Sequence, residues 1–195
     1  MTRLLVATTN AGKQREFRRL LAHLPAEIVT PDEIGLQLEV EEPHETYAEN
    51  AIDKADAYAR ASGLLSVADD SGIEVAALDW GPGVRSARWG GGRTADRLLE
   101  AVGDAVDRRA RMVCVLAVAR PGLPEPGIET FTGVVEGSIA RERRGSGGFG
   151  YDPIFLLPSG VTTAELPEAD KDLISHRGHA VAAASERLLE LLAGT

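Results

Sequence analysis

Leu4-Leu5-Val6-Ala7-Thr8-Thr9-Asn10-Ala11-Gly12-Lys13 sets how the chain begins to fold. Four apolar residues in a row, bounded by small polar ones, have the length of a buried strand. Asn10 is placed as a helix N-cap, and Phe17, Leu20, Leu21 and Leu24 fall on one face of a 3.6-residue period, so the spacing predicts a helix over 10–24. A buried strand feeding straight into an amphipathic helix is the opening of an α/β unit.

Working outward, a short strand is expected near Ile28–Thr30, then an acidic loop through Glu39, Glu41 and Glu42. Thr46-Tyr47-Ala48-Glu49 fits a capping box for a helix over 46–62, and Gly63, which tolerates positive φ, ends it. Strands are predicted at 64–68 and 73–77, separated by a turn at Asp69-Asp70-Ser71-Gly72, and further strands at 111–119 and 129–140. Helices are predicted over 94–102 and 178–192, with a Gly/Pro loop at 80–92 and a glycine-rich loop at 145–153. Helices and strands alternate first, and later strands follow one another directly, which suggests α/β with a mixed sheet.

With 195 residues the chain suits one domain, and its single cysteine, Cys114, excludes an intrachain disulfide and a Cys-rich zinc site. A net charge of −9 opposes a nucleic acid polymer or an anionic membrane as partner unless positive charge is clustered. The apolar run after Met1-Thr2-Arg3 is too short for a signal segment or a membrane span, so the expected compartment is the cytoplasm.

Five segments carry chemistry-bearing residues. Thr8, Thr9, Asn10, Ala11, Gly12 and Lys13 join a strand to a helix start, where unpaired N–H groups and the helix dipole suit a phosphate; the same segment also reads as a capped helix with a solvated lysine. It is not a Walker A loop, because Ala7 stands in place of the leading glycine and Gln14 in place of the Ser/Thr. Glu41, Glu42, Asp69 and Asp70 offer hard oxygen ligands for Mg²⁺, or a solvated loop and a turn. Adjacent strand residues face opposite ways, so only one of Asp69 and Asp70 is expected in a given site, and Glu42, before Pro43, reads as solvated.

Ser146 to Pro153 places glycines around Phe149, so a purine ring has an aromatic face to stack on and Asp152 an N–H to accept from; a hairpin loop with a core phenylalanine fits equally. Lys171 to Arg177 brings cations to an acidic chain just before the last helix, with Ser175 as a possible cap. Asn50 and Lys54 share a helix face and read more simply as surface residues.

The order of these blocks resembles the inosine triphosphate pyrophosphatase (Ham1-like) family, the house-cleaning hydrolases of non-standard purine nucleotides. The resemblance is carried by Ala7-Thr8-x-Asn10-x-x-Lys13-x-x-Glu16, Glu45-Thr46-Tyr47-x-Glu49-Asn50-Ala51 and Ala68-Asp69-Asp70-Ser71-Gly72. Pro82-Gly83-Val84-x-Ser86-Ala87-Arg88, Gly147 to Pro153 and Ser175-His176-Arg177-x-x-Ala180 complete it. The chain departs from the pattern at Arg85, where the family often has an aromatic residue, and in its short Gly90–Thr94 connection.

The resemblance implies one domain over 1–195, an elongated central mixed β-sheet flanked by helices, two lobes with a nucleotide-binding cleft between them, and a homodimer. It implies Mg²⁺-dependent cleavage of a nucleoside triphosphate (ITP, dITP or XTP) to the monophosphate and pyrophosphate. Carried over by position, Thr8 to Lys13 bind the triphosphate, Glu41 and Asp70 associate with the metal, Asp70 is the general base and Ser71 touches the nucleotide. Phe149, Gly150, Tyr151, Asp152, Lys171, His176 and Arg177 hold base and phosphates. Three other readings differ in class: a nucleotide sensor without hydrolysis, a nucleic-acid-binding α/β module, and a septum-site-like pyrophosphatase for pyrimidine or modified nucleotides. Retention of both carboxylates favours the enzyme over the sensor, and the acidic balance disfavours the nucleic-acid module.

Overall fold

The computed structural model describes residues 2–122 and 127–194. The elements run β1 (Arg3–Val6), α1 (Ala11–Leu20), β2 (Glu27–Val29), α2 (Tyr47–Ser62), β3 (Leu65–Val75), β4 (Gly81–Pro82), α3 (Ser86–Trp89), α4 (Thr94–Val102), β5 (Arg109–Ala119), β6 (Glu129–Ile139), β7 (Phe155–Leu156), α5 (Glu168–Ile174) and α6 (His176–Ala193). The strands form one sheet in the order β2-β1-β3-β5-β6-β7, with β4 paired to β3. β1 is parallel to both β2 and β3, whereas β3–β4 and β6–β7 are antiparallel, so the sheet is mixed and the fold is α/β.

The chain divides into two compact units, one of residues 1–70, 114–133 and 177–195, the other of 71–113 and 134–176. In the first unit the two-residue period of the strands sorts the core onto two faces. Leu4, Val6, Leu65, Val67, Cys114, Leu116 and Val118 pack with Phe17 and Leu21 beside α1 and with Ala180, Ala184 and Leu188 of α6. The alternate residues Leu5, Ala7, Ala68, Val115, Ala117 and Ala119 pack with Ala51, Ala55, Tyr58 and Ala59 of α2. The small alanines let α2 lie close to the sheet. In the second unit Ile73, Val75, Ala110, Met112 and Ile139 pack with Leu98 and Val102 of α4 and with Tyr151, Ile154 and Phe155.

The caps lie where the sequence places them. Asn10 Oδ1 accepts the Lys13 N–H at 3.1 Å, Thr46 Oγ1 accepts the Glu49 N–H at 3.3 Å, and Gly63 closes α2 at φ +70°. Three boundaries differ. α1 stops at Leu20 rather than 24, because Pro25 disfavours helical backbone at Leu24, although Leu24 remains buried. α5 is a seven-residue helix without an apolar stripe and is not foreseen. The predicted turn at 69–72 is absent: β3 runs unbroken for 11 residues through Asp69-Asp70-Ser71-Gly72. Asp-rich turns form when the carboxylates bond the local backbone. Here other side chains occupy both carboxylates, so nothing competes with the strand.

Candidate functional site

The first unit holds a buried polar cluster at the point where β3 passes α1, α2 and α6. The strand period that separates the two apolar faces also separates the aspartates. Asp69 continues the Leu65, Val67 face, toward α1 and α6; Asp70 continues the Ser66, Ala68 face, toward α2.

Asp69 is fully buried. It accepts from Lys13 Nζ at 3.0 Å and from Arg177 Nη2 and Nε at 3.0 and 3.3 Å. Arg177, 2% exposed, also donates through Nη1 to Glu16, and its guanidinium lies 5.5 Å from the Phe17 ring centroid. Burial alone would raise the Asp69 pKa, but Lys13 and Arg177 hold it well below the usual carboxylate range. Cys114 donates weakly to Asp69 at 3.9 Å, and burial, with that carboxylate beside it, pushes its thiol up to about 12. It is a core thiol, not a nucleophile.

Asp70 is 4% exposed, and its Oδ2 accepts from Asn50 Nδ2 at 2.9 Å. Burial raises its pKa, the Asn50 bond opposes that, and the Glu42 charge raises it further. Glu42 in turn pairs with Lys54 Nζ at 2.5 Å. Lys54 stays protonated: burial lowers its pKa, but Asp69, Glu42 and Asp70 together outweigh it. Glu42 is half-buried, and its charge is felt at Asp70. Glu41, where the resemblance implies a metal-associated carboxylate, lies exposed on the same acidic loop.

The donor set fits Mg²⁺. Two like-charged carboxylates, one of them buried and raised in pKa, are hard oxygen ligands whose mutual repulsion a cation relieves. Among the described residues no group of three His, Cys, Asp or Glu is arranged to hold a metal. Mg²⁺ suits such a sparse set, because it keeps several waters and takes the remaining ligands from substrate phosphates.

At the start of α1, Thr8 Oγ1 accepts the Asn10 N–H at 3.2 Å and the Thr8 carbonyl accepts from Gln14 at 2.9 Å. Thr9, Asn10 and Ala11 are exposed and Gly12 is buried, so the helix opens with its first-turn amides directed out of its end. Lys13 lies beside them, its side chain 17% exposed and tied by Asp69.

The second unit holds a separate cluster. Asp152 is 3% exposed. Its Oδ2 accepts from Lys171 Nζ at 2.6 Å and from the Phe149 N–H at 2.7 Å, and its Oδ1 accepts from Thr163 Oγ1 at 2.9 Å. Lys171 Nζ stands 5.4 Å from the centroid of the half-buried Phe149 ring. Asp152, expected as an acceptor for a base N–H, here fixes the Phe149 loop and Lys171 together. Tyr151 is a structural pin, its hydroxyl donating to the Ser86 carbonyl at 2.8 Å and pushed up to about 12 by burial. Gly150 is exposed, Ser71 half-buried in β3, and His176 half-buried at the first residue of α6.

Gly148 makes this loop possible. Its φ is +69°, and a Cβ there would lie 2.1 Å from Asp152 Oδ2. Gly148→Ala is expected to cost roughly 1–3 kcal/mol through backbone strain and displacement of Asp152. A denaturant melt measures this, and an unchanged midpoint would show that the loop does not depend on the close approach.

Sequence reasoning gave Glu16 no role of its own, read Glu42 as solvated and Asn50 and Lys54 as surface residues, and weighed Asp69 only as an alternative to Asp70. The signal for Asn50 and Lys54 was present: they border the Ala51, Ala55, Tyr58, Ala59 stripe that buries α2. For Arg177 the sequence suggests contact with base and phosphates, whereas the structure commits its guanidinium to Asp69 and Glu16 inside the unit.

The first unit of this mixed-sheet α/β chain thus combines a capped helix start, a lysine and buried carboxylates, groups suited to binding phosphate. Residues 4–187 match the model of the Ham1 family, and the chain belongs to that family. It is 48% identical over 195 residues to the dITP/XTP pyrophosphatase of Symbiobacterium thermophilum, covering 97% of this chain and 96% of that one. It is 45% identical over 201 residues to the dITP/XTP pyrophosphatase of Methylococcus capsulatus, covering 98% of each. Among solved structures it is similar to a HAM1 protein from Coxiella burnetii, with a TM-score of 0.82 and 39% identity over the whole of both chains.

Proposed function

We propose that this chain hydrolyses non-standard purine nucleoside triphosphates (ITP, dITP and XTP) to the monophosphate and pyrophosphate, so clearing them before they enter DNA or RNA. The observation that carries the reading is Asp70, a buried carboxylate held by Asn50, in the same unit as Lys13 and the start of α1. The near-full-length identity to proteins named dITP/XTP pyrophosphatase supports the choice of substrate.

Asp70, with the acidic loop that carries Glu41 and Glu42, would hold Mg²⁺, which supplies charge neutralisation at the phosphate oxygens. The amides at the start of α1 and the Lys13 ammonium bind and orient the triphosphate. An ammonium has three donors, so the bond to Asp69 leaves others for phosphate. Asp70 accepts a proton from water as the water oxygen bonds to the α-phosphorus. The bond from the α-phosphorus to the bridging oxygen breaks in line, and pyrophosphate leaves. Most of the acceleration then comes from positioning and from charge stabilisation.

In the second unit the Phe149 ring offers a stacking face for the base, held in place by Asp152 and Lys171. Backbone N–H groups of this glycine-rich loop would donate to a 6-oxo group. A 6-amino purine would leave such donors unpaired, which discriminates by up to roughly 10⁴-fold in favourable cases. The reading includes a homodimer and a cytoplasmic location, as the family resemblance implies; sedimentation velocity checks the dimer.

The test is pyrophosphate release from ITP, XTP, dITP, ATP, GTP and dUTP, with and without Mg²⁺. ITP, XTP and dITP should exceed the others, and chelation should abolish release. Equal rates for all six would refute the selectivity, and no release from any would leave a nucleotide sensor as the better reading.

A further inference from the structure

The chain carries three lysines against eighteen arginines, and none of the three is an ordinary surface charge. Lys13 pairs with Asp69, Lys54 with Glu42 and Lys171 with Asp152, and their side chains are 17%, 12% and 6% exposed. At Lys13 the carboxylate partner is wholly buried. Lys13 Nζ lies 3.0 Å from each of the two Asp69 oxygens, so the ammonium straddles the carboxylate. Asp69 is held from behind as well: Arg177 donates to its Oδ2 through Nη2 and Nε at 3.0 and 3.3 Å, and Glu16 accepts from Arg177 Nη1. Its strand is tied to the segment that opens α1, because the Val67 carbonyl accepts the Ala7 N–H at 2.8 Å.

We propose that Asp69 is a positioning residue that holds the Lys13 ammonium beside the first-turn amides of α1 before a phosphate arrives. The proposal rests on the reading of Lys13 and the start of α1 as the place of the triphosphate. Two physical reasons support it. A cation in the first turn of a helix faces the positive end of the dipole, and α1 has no acidic residue in that turn to offset it. Asp69 supplies the missing negative charge from a neighbouring strand. A lysine without that tie would extend into water, and binding would then have to order its four-carbon stem. Having one such side chain in place beforehand is worth about fivefold in affinity. Arg177 draws on the same carboxylate, so Lys13 is not neutralised outright and keeps donors for an anion.

The test titrates inorganic tripolyphosphate, without metal, into the full chain by calorimetry. Asp69→Asn keeps the shape and removes the charge. It should weaken binding about fivefold when Lys13 is present and leave binding unchanged in a Lys13→Ala background. A merely structural role would give the same loss in both backgrounds and overturns the proposal. A carboxylate acting only as a counter-charge would do the opposite, since its removal would strengthen anion binding, and that result overturns it too. So does a wild type that does not bind tripolyphosphate.

Should a variant fail to fold or to bind, the wild type decides by ¹³C relaxation of its three lysine Cε groups, with Lys13 assigned by its loss in Lys13→Arg. A Lys13 Cε as ordered without tripolyphosphate as with it supports the proposal, and one that becomes ordered only on binding overturns it. The two readings fail separately. A wild type that binds tripolyphosphate through a preset Lys13 but releases no pyrophosphate from ITP would defeat the proposed function alone. An active wild type whose Lys13 is disordered until ligand arrives would defeat the role of Asp69 alone.

Discussion

Asp70→Asn is expected to lower pyrophosphate release from ITP by a factor on the order of 10²–10⁴, the usual contribution of a positioned general base, with the fold retained. The amide is isosteric and still offers an oxygen to Asn50 Nδ2, so the clamp on β3 survives. It cannot take the proton of the attacking water, and it is a weaker cation ligand. The same substitution should raise the melting temperature of the metal-free protein near neutral pH. The sign follows from linkage. Burial and Glu42 raise the Asp70 pKa above its unfolded value, so the folded chain holds that proton more tightly than the unfolded chain does. That contribution is complete below the unfolded pKa and is lost as pH rises through the folded pKa. At neutral pH the ionised carboxylate is therefore a cost, which the asparagine removes. The advantage of the variant should shrink as pH falls through the carboxylate range. Turnover near the wild-type level would sink the assignment of Asp70; a variant less stable than wild type would show that its charge is already compensated.

Much of this was legible in the chain because each strong local signal agrees with its neighbours. Asn10, Thr46 and Gly63 mark the helix ends correctly because capping depends on residues only a few positions apart. The apolar runs of β1 and β5 predict burial, and their alternate residues do face different helices. Asp69 and Asp70 were expected to face opposite ways, and they do, but the helices they meet, α1 and α6 for one and α2 for the other, emerge only because the expected turn is a continuing strand. The sequence does not reveal which partners meet them, since Lys13, Glu16 and Arg177 are far apart in the chain and converge only through the sheet order. Glu42 was misread as solvated because its environment is made by Lys54 and Asp70, not by its own flanking residues. α5 escaped notice because seven residues with a single buried lysine leave no hydrophobic period to count.

Arg177→Leu is expected to destabilise the fold by about 3–5 kcal/mol, the usual cost of stranding a buried ion pair. At about 2–4 °C per kcal/mol for a chain of this size, the melting temperature should fall by about 6–20 °C. Leucine removes the fork that reaches Asp69 through Nη2 and Nε and Glu16 through Nη1, and leaves two carboxylates inside the unit. In the wild type Asp69 lies below the usual carboxylate range despite its burial, held there by Lys13 and Arg177. Its stabilisation is therefore present above the unfolded pKa and lost as pH falls through the folded pKa. In the variant the balance shifts, because burial then acts on Asp69 with only Lys13 and Lys54 to oppose it, and Glu16 loses its guanidinium partner. Mild acid protonates the stranded groups, so the deficit against wild type should be widest near neutral pH and should narrow toward about pH 5. A deficit independent of pH would mean that lost packing against Phe17, and not stranded charge, explains the damage. Arg177→Lys separates charge from shape: an ammonium restores one positive charge but cannot fork to two carboxylates on separate elements, so it should recover only part of the loss. Turnover should fall further than stability alone explains, because Asp69, released from Arg177, is the group that ties Lys13 Nζ at the start of α1.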